Sequence, residues 1–206
     1  MKGYKKITIN SYNKTYKDYT KLVGKLHPYQ QATIFLKFLK KNSSILDLGC
    51  GSGRDTKVFS RKRFHVTGID LSSNMIKSAR KNEKNAEFKV MDMLSLKFRS
   101  NSFDAVWANG SLLHISKKHL PKALREVRKV IKKDGIFYLS LKKGTGEMMQ
   151  PDERYNSVVK FWSFYSKKEI ETYLKKSGFK VIKSSINKRN SSYSTHPWIS
   201  VFCRKN

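Results

Sequence analysis

Gly49, Gly51 and Gly53 stand at alternate positions after the apolar run Ser44-Ile45-Leu46-Asp47-Leu48 and before a helix-forming stretch that opens at Arg54. Glycine tolerates positive φ and lets the backbone approach a ligand with no Cβ in the way. The helix start beyond adds unpaired N–H groups and the positive end of a dipole, which suit a carboxylate or a phosphate. Asp70 closes the next apolar run, His65-Val66-Thr67-Gly68-Ile69, about twenty residues downstream. In a parallel sheet that spacing sets a carboxylate beside the glycine loop, where it can hold a ribose diol. The glycines alone fit any tight turn. With Asp70 and the strand–loop–helix context they point to an adenosine-type ligand. His114 ends Asn109-Gly110-Ser111-Leu112-Leu113-His114, after a further apolar run. An unperturbed histidine titrates near neutrality, which makes it a candidate general base. The ring could equally orient its loop or line a pocket.

The elements that must position these residues follow from apolar periodicity. Asn10 to Leu39 reads as helical, broken at His27-Pro28, because proline lacks the N–H and restricts its predecessor. Strands are expected at Ser44–Leu48, His65–Asp70, Ala86–Val90, Phe103–Ala108 and Ile136–Leu141. Helices are expected at Arg54–Arg61, after a Ser72 or Ser73 cap, and at Leu120–Ile131, where Leu124, Val127, Val130 and Ile131 share a face. Lys142 to Tyr165 shows no regular pattern and reads as a mobile flap. Ser166 caps a helix to Lys176 with Gly178 past its end, and Phe179–Ile186 and Trp198–Arg204 close the chain as strands. Alternating strands and helices imply an α/β, doubly wound, mostly parallel sheet covered on both faces. One domain spanning 1–206 is expected, with residues 1–42 as a helical cap.

Composition narrows the class. The 206 residues are 38% apolar, in short separated runs, enough for one core. No stretch approaches the roughly 18 apolar residues of a membrane span, and no apolar run follows the N-terminal lysines to make a secretory signal. Cys50 and Cys203 form no metal-spacing motif, and a reducing, cytoplasmic setting is expected. The net charge of +29 reads two ways. It would attract nucleic acid or another polyanion. It also matches codon bias toward lysine: lysine outnumbers arginine, whose planar fork serves phosphate recognition, and the charge is spread along the chain.

Ile45 to Gly53 resembles the first signature of class I S-adenosylmethionine-dependent methyltransferases, whose compact glycine pattern differs from the G-x-G-x-x-G of dinucleotide-binding oxidoreductases. The resemblance continues through Gly68-Ile69-Asp70-Leu71-Ser72, Val90-Met91-Asp92-Met93, Phe103-Asp104-Ala105-Val106-Trp107-Ala108 and Leu124 to Gly135. It implies a Rossmann-like fold with a seven-stranded sheet whose last strand is antiparallel, and S-adenosylmethionine as methyl donor. It also implies roles for single residues. Gly49, Cys50 and Gly51, with Asp47 behind them, would pass the methionine and ribose portions. Asp70 would bind the ribose hydroxyls, and Leu71 and Met75 would pack near adenine. Asp92 would accept from the adenine amino group and the Met93 N–H would reach a ring nitrogen. Asn109 would offer its carbonyl to the methionine ammonium, Arg54 would meet the methionine carboxylate, and Tyr19 would serve as an aromatic lid or a plain core residue.

Methyl transfer is an in-line displacement that needs alignment more than a base. The expected acceptor is an oxygen or nitrogen of a small molecule, with RNA or protein as the alternative that the charge favours. The segment after the fourth strand lacks the Asn/Asp-Pro-Pro-aromatic signature of base-amino methylation, and no His, Asp and Glu cluster suggests a metal. Arg154, Tyr155, Phe161, Trp162 and Tyr165 would either sandwich a flat or anionic acceptor or form a satellite core. A monomer is expected.

Overall fold

The computed structural model describes residues 3–26, 29–187 and 196–206. The expected break at His27-Pro28 lies outside the described residues. Helix α1 (Gly3–Val23) and α2 (Tyr29–Leu36) precede β1 (Ser44–Leu48), α3 (Arg54–Ser60), β2 (His65–Asp70), α4 (Ser73–Asn82), β3 (Glu87–Val90) and β4 (Phe103–Asn109). A 3₁₀ turn (Leu112–His114) leads to α5 (Leu120–Val130), β5 (Ile131–Lys142), β6 (Glu147–Asp152) and a second 3₁₀ turn (Glu153–Tyr155). The chain ends with β7 (Val158–Ser163), α6 (Lys167–Lys176), β8 (Phe179–Asn187) and β9 (Trp198–Lys205).

Seven strands form one sheet in the order β3-β2-β1-β4-β5-β9-β8. The pairs β1–β2, β1–β4, β2–β3 and β4–β5 are parallel, and β9 runs antiparallel to both β5 and β8. The central strands are covered on both faces, which is why β1 after Ser44 is apolar apart from Asp47. On one face Leu46, Val106, Phe137 and Leu139 pack against Leu124 and Val127 of α5 and Ile170 of α6. On the other, Ile45, Trp107, Tyr138 and Phe202 meet Phe35 of α2 and Phe59 of α3. Each such large side chain, fully buried, contributes roughly 1.5–3 kcal/mol of transfer free energy. Ser72 caps α4 by accepting from Met75 N at 3.2 Å, and Ser166 with Glu169 forms a capping box on α6. No helix among the described residues is long and apolar enough to cross a membrane.

Three expectations are corrected. Helix α1 starts at Gly3 rather than Asn10, and its buried face carries Lys5, Thr8, Ser11 and Thr15. A polar buried face leaves no apolar periodicity to read. Helix α5 stops at Val130 and β5 begins at once, with Lys132 to Gly135 as a bulge that shifts the register between Phe103↔Ile131 and Ala105↔Ile136. The stretch from Lys142 to Tyr165 is not irregular: β6 and β7 pair as an antiparallel hairpin, Glu147↔Ser163 through Asp152↔Val158. Its aromatic residues are core. Tyr155, Phe161, Trp162 and Tyr165 are all buried, and Trp162 and Tyr165 join the main cluster.

Candidate functional site

A pocket opens at the carboxyl ends of β1, β2 and β4, where the strand order departs from β1 in both directions, the usual ligand position of such sheets. Its floor is the glycine loop. Gly49 N and Cys50 N both donate to Ile69 O, at 2.8 and 2.9 Å, which curls the chain back under the pocket. Gly49 has φ +78°, and a Cβ there would stand 2.3 Å from Ser111 Cβ. Gly51 has φ +54°, and the ring of Tyr19 lies 3.4 Å from where its Cβ would be. Both positions require glycine by backbone conformation, and Gly49 also by space.

Asp70 stands at the pocket wall, its carboxylate aimed by two backbone donors: Gly51 N at 3.1 Å and Ser72 N at 2.8 Å. Burial raises its pKa, and these amides partly offset the rise. Leu71, Met75 and Met93 line the pocket beside it, Met75 fully buried. Asp92 also lines it, but it is not alone: Lys5 Nζ pairs with Oδ2 and Leu94 N donates to Oδ1 at 2.9 Å. Lys5 comes from the part of α1 that the sequence did not show as helical.

Beneath the loop, Tyr19, Asp47, Cys50, Arg54 and Asn109 line a small adjoining recess together with Asp55. Asp55 organises it, taking both arms of Arg54 at 2.5 and 3.0 Å, Trp107 Nε1 at 2.8 Å and Asn109 Nδ2 at 2.9 Å. Burial would raise the Asp55 carboxyl, and the Arg54 guanidinium with Asn109 and Trp107 more than offsets it, holding the pKa below the ordinary value. Burial, reinforced by the charge of Asp55, pushes the neighbouring Asp47 up to about 8 against the hydrogen bond from Thr56 Oγ1 at 2.6 Å. The two carboxyls are thus driven apart, Asp55 favouring its charged form and Asp47 its neutral one.

The far wall belongs to His114. Its Nδ1 lies 2.7 Å from Phe161 O, which only accepts, so Nδ1 carries the proton and Nε2 receives the Tyr12 hydroxyl at 2.8 Å. Burial pushes the ring down to about 3, against the pull of the Phe161 carbonyl and helped by Lys160 and Lys142. The ring is therefore a neutral acceptor clamped between α1 and β7, not a group titrating near neutrality. Ser111 Oγ, next to Gly49, is buried with no hydrogen-bond partner. Among the described residues no group of three or more His, Cys, Asp or Glu could hold a metal ion.

Every residue predicted to hold the cofactor, and His114, thus borders the pocket or its recess, whereas Arg154, Tyr155, Phe161, Trp162 and Tyr165 line neither. Sequence reasoning missed Lys5, Asp55, Ser111 and the side of α1 bearing Thr8 and Ile9. Asp55 had a signal, an acid beside Arg54 at the helix start; Lys5 and Ser111 had none. The arrangement suits a ligand with a diol for Asp70, a flat apolar part for Leu71 and Met75, and a charged end for the recess. The glycine backing and the unsatisfied Ser111 hydroxyl fit a group that lies against them.

Comparison with known proteins agrees. Residues 45–135 match the family described as "Methyltransferase domain". The chain is 31% identical over 211 residues to an uncharacterized protein of Methanocaldococcus jannaschii, a match covering 88% of this chain and 77% of that protein. It is 34% identical over 125 residues to the demethylmenaquinone methyltransferase of Thermotoga maritima, covering 60% of this chain and 51% of that one. With the probable tRNA methyltransferase 9B of Mus musculus it shares 33% over 125 residues, 60% of this chain and 27% of that. The chain thus spans half or about a quarter of the length of these two named relatives. In fold it is similar to the Burkholderia thailandensis 1,6-didemethyltoxoflavin-N1-methyltransferase, solved with 1,6-didemethyltoxoflavin and S-adenosylhomocysteine (TM-score 0.79, 19% identity, 98% of this chain and 88% of that). With a seven-stranded, mostly parallel sheet, the glycine loop and the matching domain in place, the chain belongs to the class I S-adenosylmethionine-dependent methyltransferases, an enzyme family that takes its methyl group from S-adenosylmethionine.

Proposed function

We propose that this methyltransferase transfers its methyl group to an oxygen or nitrogen of a small-molecule acceptor. The observation that carries the reading is the cover over the pocket: Thr8, Ile9, Tyr12 and Tyr19 of α1 line it opposite the sheet edge. Helix α1 is tied to the rest by Ser11 Oγ donating to Val159 O, by Phe161 N donating to Thr8 Oγ1 and by Ser72 Oγ donating to Asn13. A roofed pocket admits a compact acceptor and excludes water from the displacement, whereas a polymer needs an open groove. In this proposal the whole chain works as one domain, with residues 1–42 and the 142–165 hairpin as the cover.

S-adenosylmethionine, when bound, supplies an electrophilic methyl on a sulfonium. The chain's own part is to bind and align. Asp70 takes the ribose hydroxyls, Gly49, Cys50 and Gly51 give the backbone path, and Leu71 and Met75 pack on adenine. Met93 N–H and Asp92 serve the adenine edge, with Lys5 sharing the Asp92 carboxylate. Asn109 and Asp47 serve the methionine ammonium end, and Arg54, braced on Asp55, serves the carboxylate. Tyr19 covers the loop. His114 lines the acceptor side as a positioning residue, fixed by Tyr12 and Phe161, and the acceptor brings its own lone pair.

Incubation of the protein with methyl-labelled S-adenosylmethionine and a fractionated cell extract tests this. Label is expected in the low-mass fraction, resistant to ribonuclease and protease. Label confined to RNA or protein would sink the small-molecule reading and favour the alternative, a polyanionic acceptor guided by the +29 surface.

A further inference from the structure

Behind Tyr12 and His114 lies a group of charges that the cofactor does not use. Lys160 is wholly buried, its ammonium 2.9 Å from Asp152 and 4.4 and 4.2 Å from the ring centres of Tyr12 and Tyr155. Arg154 grips the same Asp152 at 2.7 and 2.9 Å. Asp152, 5% exposed, therefore already serves two cations. Lys142, at the carboxyl end of β5, is 4% exposed. Among the described residues its ammonium has no hydrogen-bond or ion-pair partner. Its ammonium sits 3.4 Å from the ring centre of Trp162, the indole that packs on His114 with ring centres 4.7 Å apart.

Two cations thus share one carboxylate, and the third, Lys142, stands on a ring face without one. A ring face returns to an ammonium only a part of what taking the ion out of water costs. Trp162 alone does not offset that cost, so the cluster lacks a negative charge. Of the charges that act on Lys142, Arg154 and Lys160 repel it and Asp152 attracts it. An anion brought by a ligand completes the set.

We propose that the methyl acceptor is an anion, whose carboxylate or phosphate docks on Lys142 beside Trp162, within the positive potential of Lys160 and Arg154, while the rest of the molecule reaches past His114 into the pocket. This rests on the small-molecule reading above. It makes Lys142 a specificity-determining residue and excludes neutral acceptors of the same shape.

Calorimetric titration at pH 7 tests it on the full chain, free and saturated with S-adenosylhomocysteine. The probes are benzoate, phenyl phosphate and neutral benzamide. At least one anion is expected to bind about tenfold or more tighter than benzamide, the effect of one charge-assisted contact. Benzoate alone would identify a carboxylate, phenyl phosphate alone a phosphate. Lys142→Gln should erase the preference while S-adenosylhomocysteine affinity stays unchanged, and Lys142→Arg, which keeps the charge, should retain it. Benzamide binding as well as the anions, no anion binding to either form, or a Lys142→Gln protein that keeps the preference would each overturn the proposal. Should Lys142→Gln fail to fold, Lys142→Met, which keeps the packing of the stem and removes the charge, takes its place in the same comparison. A protein that binds the anions but labels only RNA would instead break the small-molecule reading.

Discussion

His114 shows how tertiary surroundings reset a residue's chemistry. By type it titrates near neutrality; clamped by Tyr12 and Phe161 and cut off from water, it is pushed down to about 3. Its folded pKa lies below the unfolded value of about 6.5. The unfolded chain therefore takes up the proton first, and the stability this group contributes is full above pH 6.5 and lost as pH falls toward 3. Wild type should lose roughly 1.4 kcal/mol per pH unit below about 6.5 relative to His114→Gln, read from urea melts. The pH profile of methyl transfer should show no inflection from His114, and an ionisation near neutrality that vanishes in His114→Gln would restore its role as base. Asp70 is the opposite case, since type and place agree. Asp70→Ala should weaken S-adenosylhomocysteine binding by about 1–3 kcal/mol in calorimetry. Unchanged affinity would mean that the ribose lies elsewhere.

At the scale of elements, the central strands β1 and β4 were legible because their residues are mostly apolar on both faces, and α4 and α6 because their caps are serines with the right successors. The first turns of α1, ahead of Asn10, and the β6–β7 hairpin were not, and for one reason: α1 and the hairpin bury polar groups in each other. Thr8 and Ser11 bond to the β7 backbone, and Lys160 lies under Tyr12. A lysine inside Val158-Val159-Lys160-Phe161-Trp162 was the available signal, a lone charge within a strand-like run. Breaking a buried ion pair typically costs about 3–5 kcal/mol. Because Arg154 still holds Asp152, Lys160→Ala should fall at the low end, about 3 kcal/mol in chemical denaturation. A loss below about 1 kcal/mol would mean the hairpin does not depend on that charge.

For the whole molecule, 44 basic residues face 15 acidic ones, so the folded chain repels itself. Raising NaCl from ~0.05 M to ~0.5 M should raise the calorimetric Tm by screening that repulsion. Polyanion binding should fall steeply over the same range, while S-adenosylhomocysteine binding changes little. If cofactor binding followed salt as polyanion binding does, the surface charge would be part of the site. The sequence by itself determined the sheet, the glycine loop and the carboxylate beside it, because these rest on short-range patterns: apolar runs, glycine at forced φ, and an acid at a strand end. Only the tertiary structure decided the roof, the neutral state of His114 and the two cations paired with Asp152. Those depend on which distant polar groups meet in the dark of the core, a matter of long-range contact and desolvation that no local spacing encodes.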